Sequence, residues 1–246
     1  MLNSFSPQQT GVQVSVFHRL HFATYLQVSG MVIILYYMGR SPPTRSVDLV
    51  LHALNLAVEY KTINLVAREH LTPEFLKLNP LHTIPLIDDN GFILWESRAI
   101  MTYLVSKYGK DDSLYPKDLQ QRAIVDQRLH YSNDVFYISK LAARELLLHK
   151  KKSIPAELLV KIREVQENVE KLLRGQEFMA GDSLTLADYS YVTLMDVLET
   201  VCPTENRCPL TSAWFLRCKT VMKDFVKVNE NGASQLKELL KQQLDS

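Results

Sequence analysis

Apolar residues follow two different rhythms along this chain, and the change between them falls near residue 110. In the first half the runs are short. Val32-Ile33-Ile34-Leu35-Tyr36-Tyr37 is an unbroken β-branched and aromatic stretch, which predicts a buried strand. From Thr44 to Leu56 the spacing becomes helical, with Val47, Val50, Leu51 and Leu54 on one face. Glu59 to Asn64 alternates as a strand. Thr72 followed by Pro73 marks the start of a short helix, because proline in a first turn lacks only an N–H that has no helical partner. Two more apolar runs, Ile84 to Ile87 and Phe92 to Trp95, flank Asp88-Asp89-Asn90-Gly91 and predict a β-hairpin. Pro85 cannot donate to a ladder and belongs at the mouth of the first of these strands. A helix from Ser97 to Tyr108 completes a four-stranded α/β domain over residues 31–110.

A charged linker, residues 111–117, ends at Pro116-Lys117, and strand-like alternation stops there. Asp118 to Leu148 reads as one long helix carrying Val125, Leu129, Val135 and Leu141. A second helix, Ala156 to Leu173, buries a stripe of Leu158, Ile162, Val165 and Val169. Thr185 and Asp188 have the spacing of a capping box, with Asp in place of the usual Glu, so their expected role is structural. Shorter helices follow around Ser212 to Val221 and Ala233 to Gln243. Residues 118–246 are therefore expected to form an all-helical domain. The start differs from both parts. Residues 1–30 are polar as far as Gly11 and then mildly apolar, interrupted by His18, Arg19, His21 and Gln27. They have neither the basic start of a secretory signal nor an apolar span of about 20 residues, and are expected to be an extension outside the core fold.

Composition narrows the function classes. Lys plus Arg number 28 against 27 Asp plus Glu, so no net field recruits nucleic acid or an acidic membrane. Three cysteines, Cys202, Cys208 and Cys218, form no C-x-x-C and leave an odd count, which points to a reducing compartment such as the cytoplasm.

Three places carry candidate chemistry. Ser41-Pro42-Pro43 puts a hydroxyl beside the N-terminus of the first helix. Ile84-Pro85, ahead of a strand, is the kind of place where a cis proline occurs, and such a bend would turn the main chain of Ile84 toward an extended peptide. Glu96-Ser97 brings a carboxylate, a hydroxyl and the anion-attracting start of a helix. Together they suit a small peptide bearing an ammonium and carboxylates.

The strings SPPTRS (Ser41 to Ser46), EHLTPEFLKLNPLHTIPLIDDNG (Glu69 to Gly91), ESRAI (Glu96 to Ile100), YGKDDSLYPKD (Tyr108 to Asp118) and FMAGDSLTLADYS (Phe178 to Ser190) occur in order. This pattern resembles the cytosolic glutathione S-transferases, most closely the insect delta/epsilon branch and its epsilon class. The resemblance implies an α/β thioredoxin-like N-terminal domain followed by an all-α C-terminal domain, assembled as a homodimer. It also implies glutathione as co-substrate and a small electrophile as the second substrate, with detoxification as the role. The resemblance further implies glutathione peroxidase or dehydrochlorinase chemistry as a side activity.

Carried over residue by residue, Ser41 is the catalytic hydroxyl that favours the glutathione thiolate. His70 and His82 contact the glycine end, and the main chain of Ile84, set by Pro85, pairs with the cysteine portion. Glu96 holds the γ-glutamyl ammonium, Ser97 donates to the neighbouring carboxylate, and Arg98 strengthens that contact. Tyr137, Lys140, Leu141 and Arg144 on the long helix line the electrophile pocket. No metal is expected, because His70 and His82 have no third spaced ligand. A non-catalytic ligand-binding or structural protein of the same fold is the alternative. A thiol oxidoreductase is disfavoured, because the Ser41 to Thr44 turn contains no cysteine.

Overall fold

The computed structural model describes residues 32–204 and 206–246. The expectation for residues 1–30 thus lies outside the described residues. Strand β1 (Ile33–Tyr37) buries Ile33 and Leu35 on one face and leads into helix α1 (Pro42–Ala53). The helix begins two residues earlier than its apolar spacing indicates, because Pro42 and Pro43 occupy its first positions, where their fixed φ is already helical. It also ends earlier. Asn55 takes a left-handed φ of 56°, its N–H bonds to the carbonyl of His52, and the N–H of Leu56 bonds back to Leu51 at 3.1 Å. These are the two bonds of a Schellman stop, with asparagine in the usual glycine position.

Strand β2 (Val58–Thr62) runs parallel to β1, and a 3₁₀ turn at Glu69–Leu71 precedes the short helix α2 (Pro73–Leu78). Thr72 caps α2, accepting from the N–H of Phe75. The hairpin follows as β3 (Leu86–Asp89) and β4 (Phe92–Trp95), then helix α3 (Ser97–Tyr108). Asn90 and Gly91 have φ values of 55° and 88°, the paired positive angles of a type I′ turn that matches strand twist. The first strand of the hairpin begins at Leu86 and not at Ile84, since Pro85 has no N–H for the ladder. Among the described residues the sheet order is β2-β1-β3-β4, with β3 antiparallel to both neighbours. Both edge strands are short, and β2 is polar, which discourages further pairing.

Among the described residues the remaining helices are α4 (Leu119–Leu147), α5 (Ala156–Leu172), α6 (Leu186–Val201), α7 (Pro209–Val221) and α8 (Asn231–Leu244). A π turn at Val226–Glu230, absent from the apolar spacing, precedes α8. Helix α6 is buried on almost every side and packs against both α1 and α4, so one apolar core runs from the sheet into the helices. Its entry is held by the expected box. The Asp188 carboxylate accepts the N–H of Thr185 at 2.8 Å. It also accepts the N–H of Met179 at 2.8 Å and the indole N–H of Trp214 at 2.8 Å. Burial raises the Asp188 pKa, and these bonds oppose the rise. Cys202, Cys208 and Cys218 are buried free thiols. Among the described residues no helix is long and apolar enough to cross a membrane.

Candidate functional site

Strand register brings the three candidate places to one end of the sheet. Tyr36 of β1 sits opposite Leu86 at the start of β3, and Leu86 sits opposite Trp95 at the end of β4. Ser41 follows the end of β1, Ile84-Pro85 precedes β3, and Glu96 follows β4. All three therefore leave the sheet on the same side. The segment carrying His70 does so too, because β2 is parallel to β1.

Ser41 is the N-cap of α1, with φ −78° and ψ 117°, and its N–H donates to the carbonyl of Met38 at 2.9 Å. A cap serine ordinarily accepts a bond from the second or third N–H of its helix. Here the second is missing because position 43 is proline, and the hydroxyl makes no capping bond. Ser41 is half-buried, and its helix makes no use of its hydroxyl.

The Ile84-Pro85 peptide is cis, and Ile84 lies outside both ladders, two residues ahead of Leu86. The loop before it is organised by the buried Asn79. Its side-chain amide donates to the carbonyl and hydroxyl of Thr83, both at 3.0 Å, and its oxygen accepts the N–H of Leu81 at 2.9 Å. The N–H of His82 bonds to the Asn79 carbonyl, and His82 takes a φ of 48°. His70 and His82, twelve residues apart, come together with ring centroids 5.9 Å apart. Burial first, then the neighbouring His82 and Arg68, pull the His70 pKa down.

Glu96 stands at the N-cap of α3 with φ 70° and ψ 105°, and its exposed carboxylate forms no capping bond. Such backbone angles cost a non-glycine residue about 1–3 kcal/mol and persist where surrounding structure enforces them. Ser97 is buried beside it. Arg98 contacts Ser97 and the long helix: its Nη1 donates to the Ser97 hydroxyl, its Nε to the Ser132 hydroxyl and its Nη2 to the Ser132 carbonyl, each at 3.0 Å. Its guanidinium also lies over the Phe136 ring. Burial lowers the Arg98 pKa to about 10, with Glu96 acting in the opposite direction.

Ser132 and Asn79 are the site-building residues that sequence reasoning missed. The Asn79-Pro80 dipeptide is a turn signal that points to one of them. Nothing local marks Ser132, whose partners lie on α3 and, through Ser190, on α6. Tyr137, Lys140, Leu141 and Arg144 share one face of α4, beginning one residue after Phe136. Tyr137 is 59% exposed, Lys140 and Arg144 are exposed, and Leu141 is half-buried against the core.

Comparison with known proteins fits this architecture. The family profile "Glutathione S-transferase, N-terminal domain" matches residues 31–106, and "Glutathione S-transferase, C-terminal domain" matches residues 99–220. The chain belongs to the glutathione S-transferase family, with the thioredoxin-like and all-helical halves that define it. Similar proteins include insect glutathione transferases of the epsilon and delta classes. Glutathione S-transferase 1 of Manduca sexta is 40% identical over 220 residues, covering 87% of this chain and all of the relative. The epsilon-class glutathione S-transferase of the housefly, Musca domestica, superposes with a TM-score of 0.82 at 41% identity, covering 86% of this chain and 98% of that one. A glutathione transferase homolog of Drosophila mojavensis, solved with bound glutathione, gives 0.81 at 39% identity, covering 87% and 98%.

Proposed function

We propose that this chain binds glutathione along the end of its sheet and transfers the thiolate to small, mostly hydrophobic electrophiles, with Ser41 as the thiolate-stabilising hydroxyl. The supporting observation is that the uncapped Ser41 hydroxyl leaves the sheet on the same side as Ile84 and Glu96. From β1 to β4 is two strand spacings, about 10 Å. That is the reach of an extended tripeptide, roughly 10–11 Å. The Glu96 carboxylate receives the γ-glutamyl ammonium. The Ser97 oxygen already accepts from Arg98, so its own proton is free for the neighbouring carboxylate. In this reading Arg98 acts through Ser97, as a positioning residue tied to α4. The main chain of Ile84, directed by Pro85, pairs with the cysteine portion, and His70 and His82 meet the glycine end.

Ser41 need not act as a base. A serine hydroxyl ionises far above neutral pH, and a preorganised donor aimed at the sulfur stabilises the developing anion. Tyr137, Lys140, Leu141 and Arg144 line the electrophile side, the stems of the two cations covering apolar surface while their charges reach water. The same thiolate serves peroxidase or dehydrochlorinase side reactions. A cytoplasmic homodimer working in detoxification completes the reading, with residues 31–110 and 118–246 as its two domains.

Ser41→Ala tests it. The loss of one such donor is expected to lower kcat by about 10²–10³, with the KM for glutathione changing much less. The pKa of the bound thiol, followed by the ultraviolet absorbance of the thiolate, should rise toward its solution value. Unchanged kcat together with an unchanged bound-thiol pKa would sink the assignment.

A further inference from the structure

The C-terminal helix meets the Ser41 turn through two glycines. Gly232 lies in the first turn of α8 and is buried. A Cβ placed on it would stand 2.0 Å from the carbonyl oxygen of Gly39, 2.6 Å from the carbonyl carbon and 3.2 Å from Cδ of Arg45. The first two atoms are backbone and cannot swing aside. Gly39 in turn sits inside the four-residue turn that the bond from the Ser41 N–H to the Met38 carbonyl closes. Position 232 therefore touches the peptide unit two residues from the Ser41 hydroxyl.

Both sides of this contact are anchored to α6. From the sheet side, Arg45 donates its Nη2 to the Thr193 carbonyl at 3.1 Å, and the Ser46 and Thr193 hydroxyls lie 2.8 Å apart. From the C-terminal side, the buried Asn229 donates to Asp196 at 3.2 Å. Asn229 belongs to the π turn Val226–Glu230. A π turn carries one residue more than an α turn and recurs at functional sites. One residue is about 100° of helix rotation, so the π turn decides which residue of α8 faces Gly39. The residue it presents is the one without a side chain.

We propose that Gly232 is a positioning residue for the transferase reaction: its bare backbone lets α8 seat on Gly39 and hold the Met38–Ser41 turn where the Ser41 hydroxyl meets the glutathione sulfur. This rests on the assignment of Ser41 above. Gly232 acts through Ser41 and leaves the Glu96, Ser97 and Ile84 contacts, which come from the segment before β3 and from the start of α3, in place.

The test is Gly232→Ala in the full chain, with kcat, the KM for glutathione and the bound-thiol pKa measured together. Kcat is expected to fall by about 10–100-fold, as for a misplacement of about 1 Å. The thiol pKa should rise, and KM should move by less than about threefold. Leu240→Ala, buried on the same helix, controls for simple loosening: it should lower Tm and leave the thiol pKa unchanged. If Gly232→Ala does not fold, Asn229→Ala frees the π turn from Asp196 without adding an atom, and should shift the thiol pKa the same way by less. The double variant Ser41→Ala/Gly232→Ala should match Ser41→Ala alone, since both changes act on one contact. A raised thiol pKa in Ser41→Ala but not in Gly232→Ala would overturn the role of Gly232 and leave that of Ser41 standing. An equal rise in Leu240→Ala would overturn it as well. An unchanged thiol pKa in Ser41→Ala would remove the underlying assignment.

Discussion

Asp89 fastens the hairpin to the far end of α3, and replacing it with asparagine gives a prediction with a definite size and pH dependence. The residue is 2% exposed. Its carboxylate accepts from the Tyr103 hydroxyl at 2.6 Å, from Lys107 at 2.7 Å, from the Tyr108 hydroxyl at 2.8 Å and from the Asn90 amide at 2.9 Å. Burial alone would raise its pKa. The donors outweigh burial and hold it at about 2. Against about 3.9 for an unfolded aspartate, the gap corresponds to about 2–3 kcal/mol of folding stability. The folded pKa is the lower one, so this stability is present in full above the unfolded pKa and is lost as pH falls through the folded value. The substitution Asp89→Asn keeps the shape of the side chain but removes the charge, and it presents an N–H₂ to groups that are themselves donors. At neutral pH the variant should lose about 2–3 kcal/mol, lowering Tm by about 4–12 °C for a chain of this size. Denaturant midpoints followed by tryptophan fluorescence, taken at a series of pH values, measure the difference from wild type. That difference should be flat near neutrality and shrink as the pH drops from about 5 toward 2. A variant as stable as wild type at neutral pH, or a gap that persists undiminished near pH 2, would refute the reasoning.

The remaining predictions concern the two helix starts. Thr185→Ala should cost about 0.5–2 kcal/mol. Asp188→Ala should cost more, about 3–5 kcal/mol, because it strands the N–H groups of Met179, Thr185 and Trp214 in a buried place. Urea titration measures both, and turnover per folded molecule should survive in each. A fully folded, equally stable variant without turnover would show that these residues serve chemistry. Glu96→Gly should move stability and function in opposite directions: relief of the φ 70° backbone stabilises the fold by about 1 kcal/mol, while loss of the carboxylate raises the KM for glutathione. Thermal unfolding and steady-state kinetics on one preparation decide it, and a destabilised variant would mean that Glu96 is not strained.

What could be read from the sequence was short-range. Thr72 and Pro73, Asn90-Gly91, and Thr185 with Asp188 each specify a bond between groups two to four residues apart, and each sits where its own chemistry places it. The alternation of strand and helix, and then helix alone, follows from apolar period, which also is local. Some errors were local as well: Asn55 carries a legible stop signal that the apolar spacing of α1 overran. The site is different in kind. Ser41, Ile84 and Glu96 lie on three separate segments, and only the register of Tyr36 with Leu86 and of Leu86 with Trp95 brings their strand ends to one side. Arg98 reaches Ser132 across 34 residues, and Gly232 reaches Gly39 across nearly the whole folded chain. Such contacts depend on how helices seat on α6, where displacement by one residue rotates a face by about 100°. No local preference for serine or glycine records that choice, so the tertiary structure alone decided it.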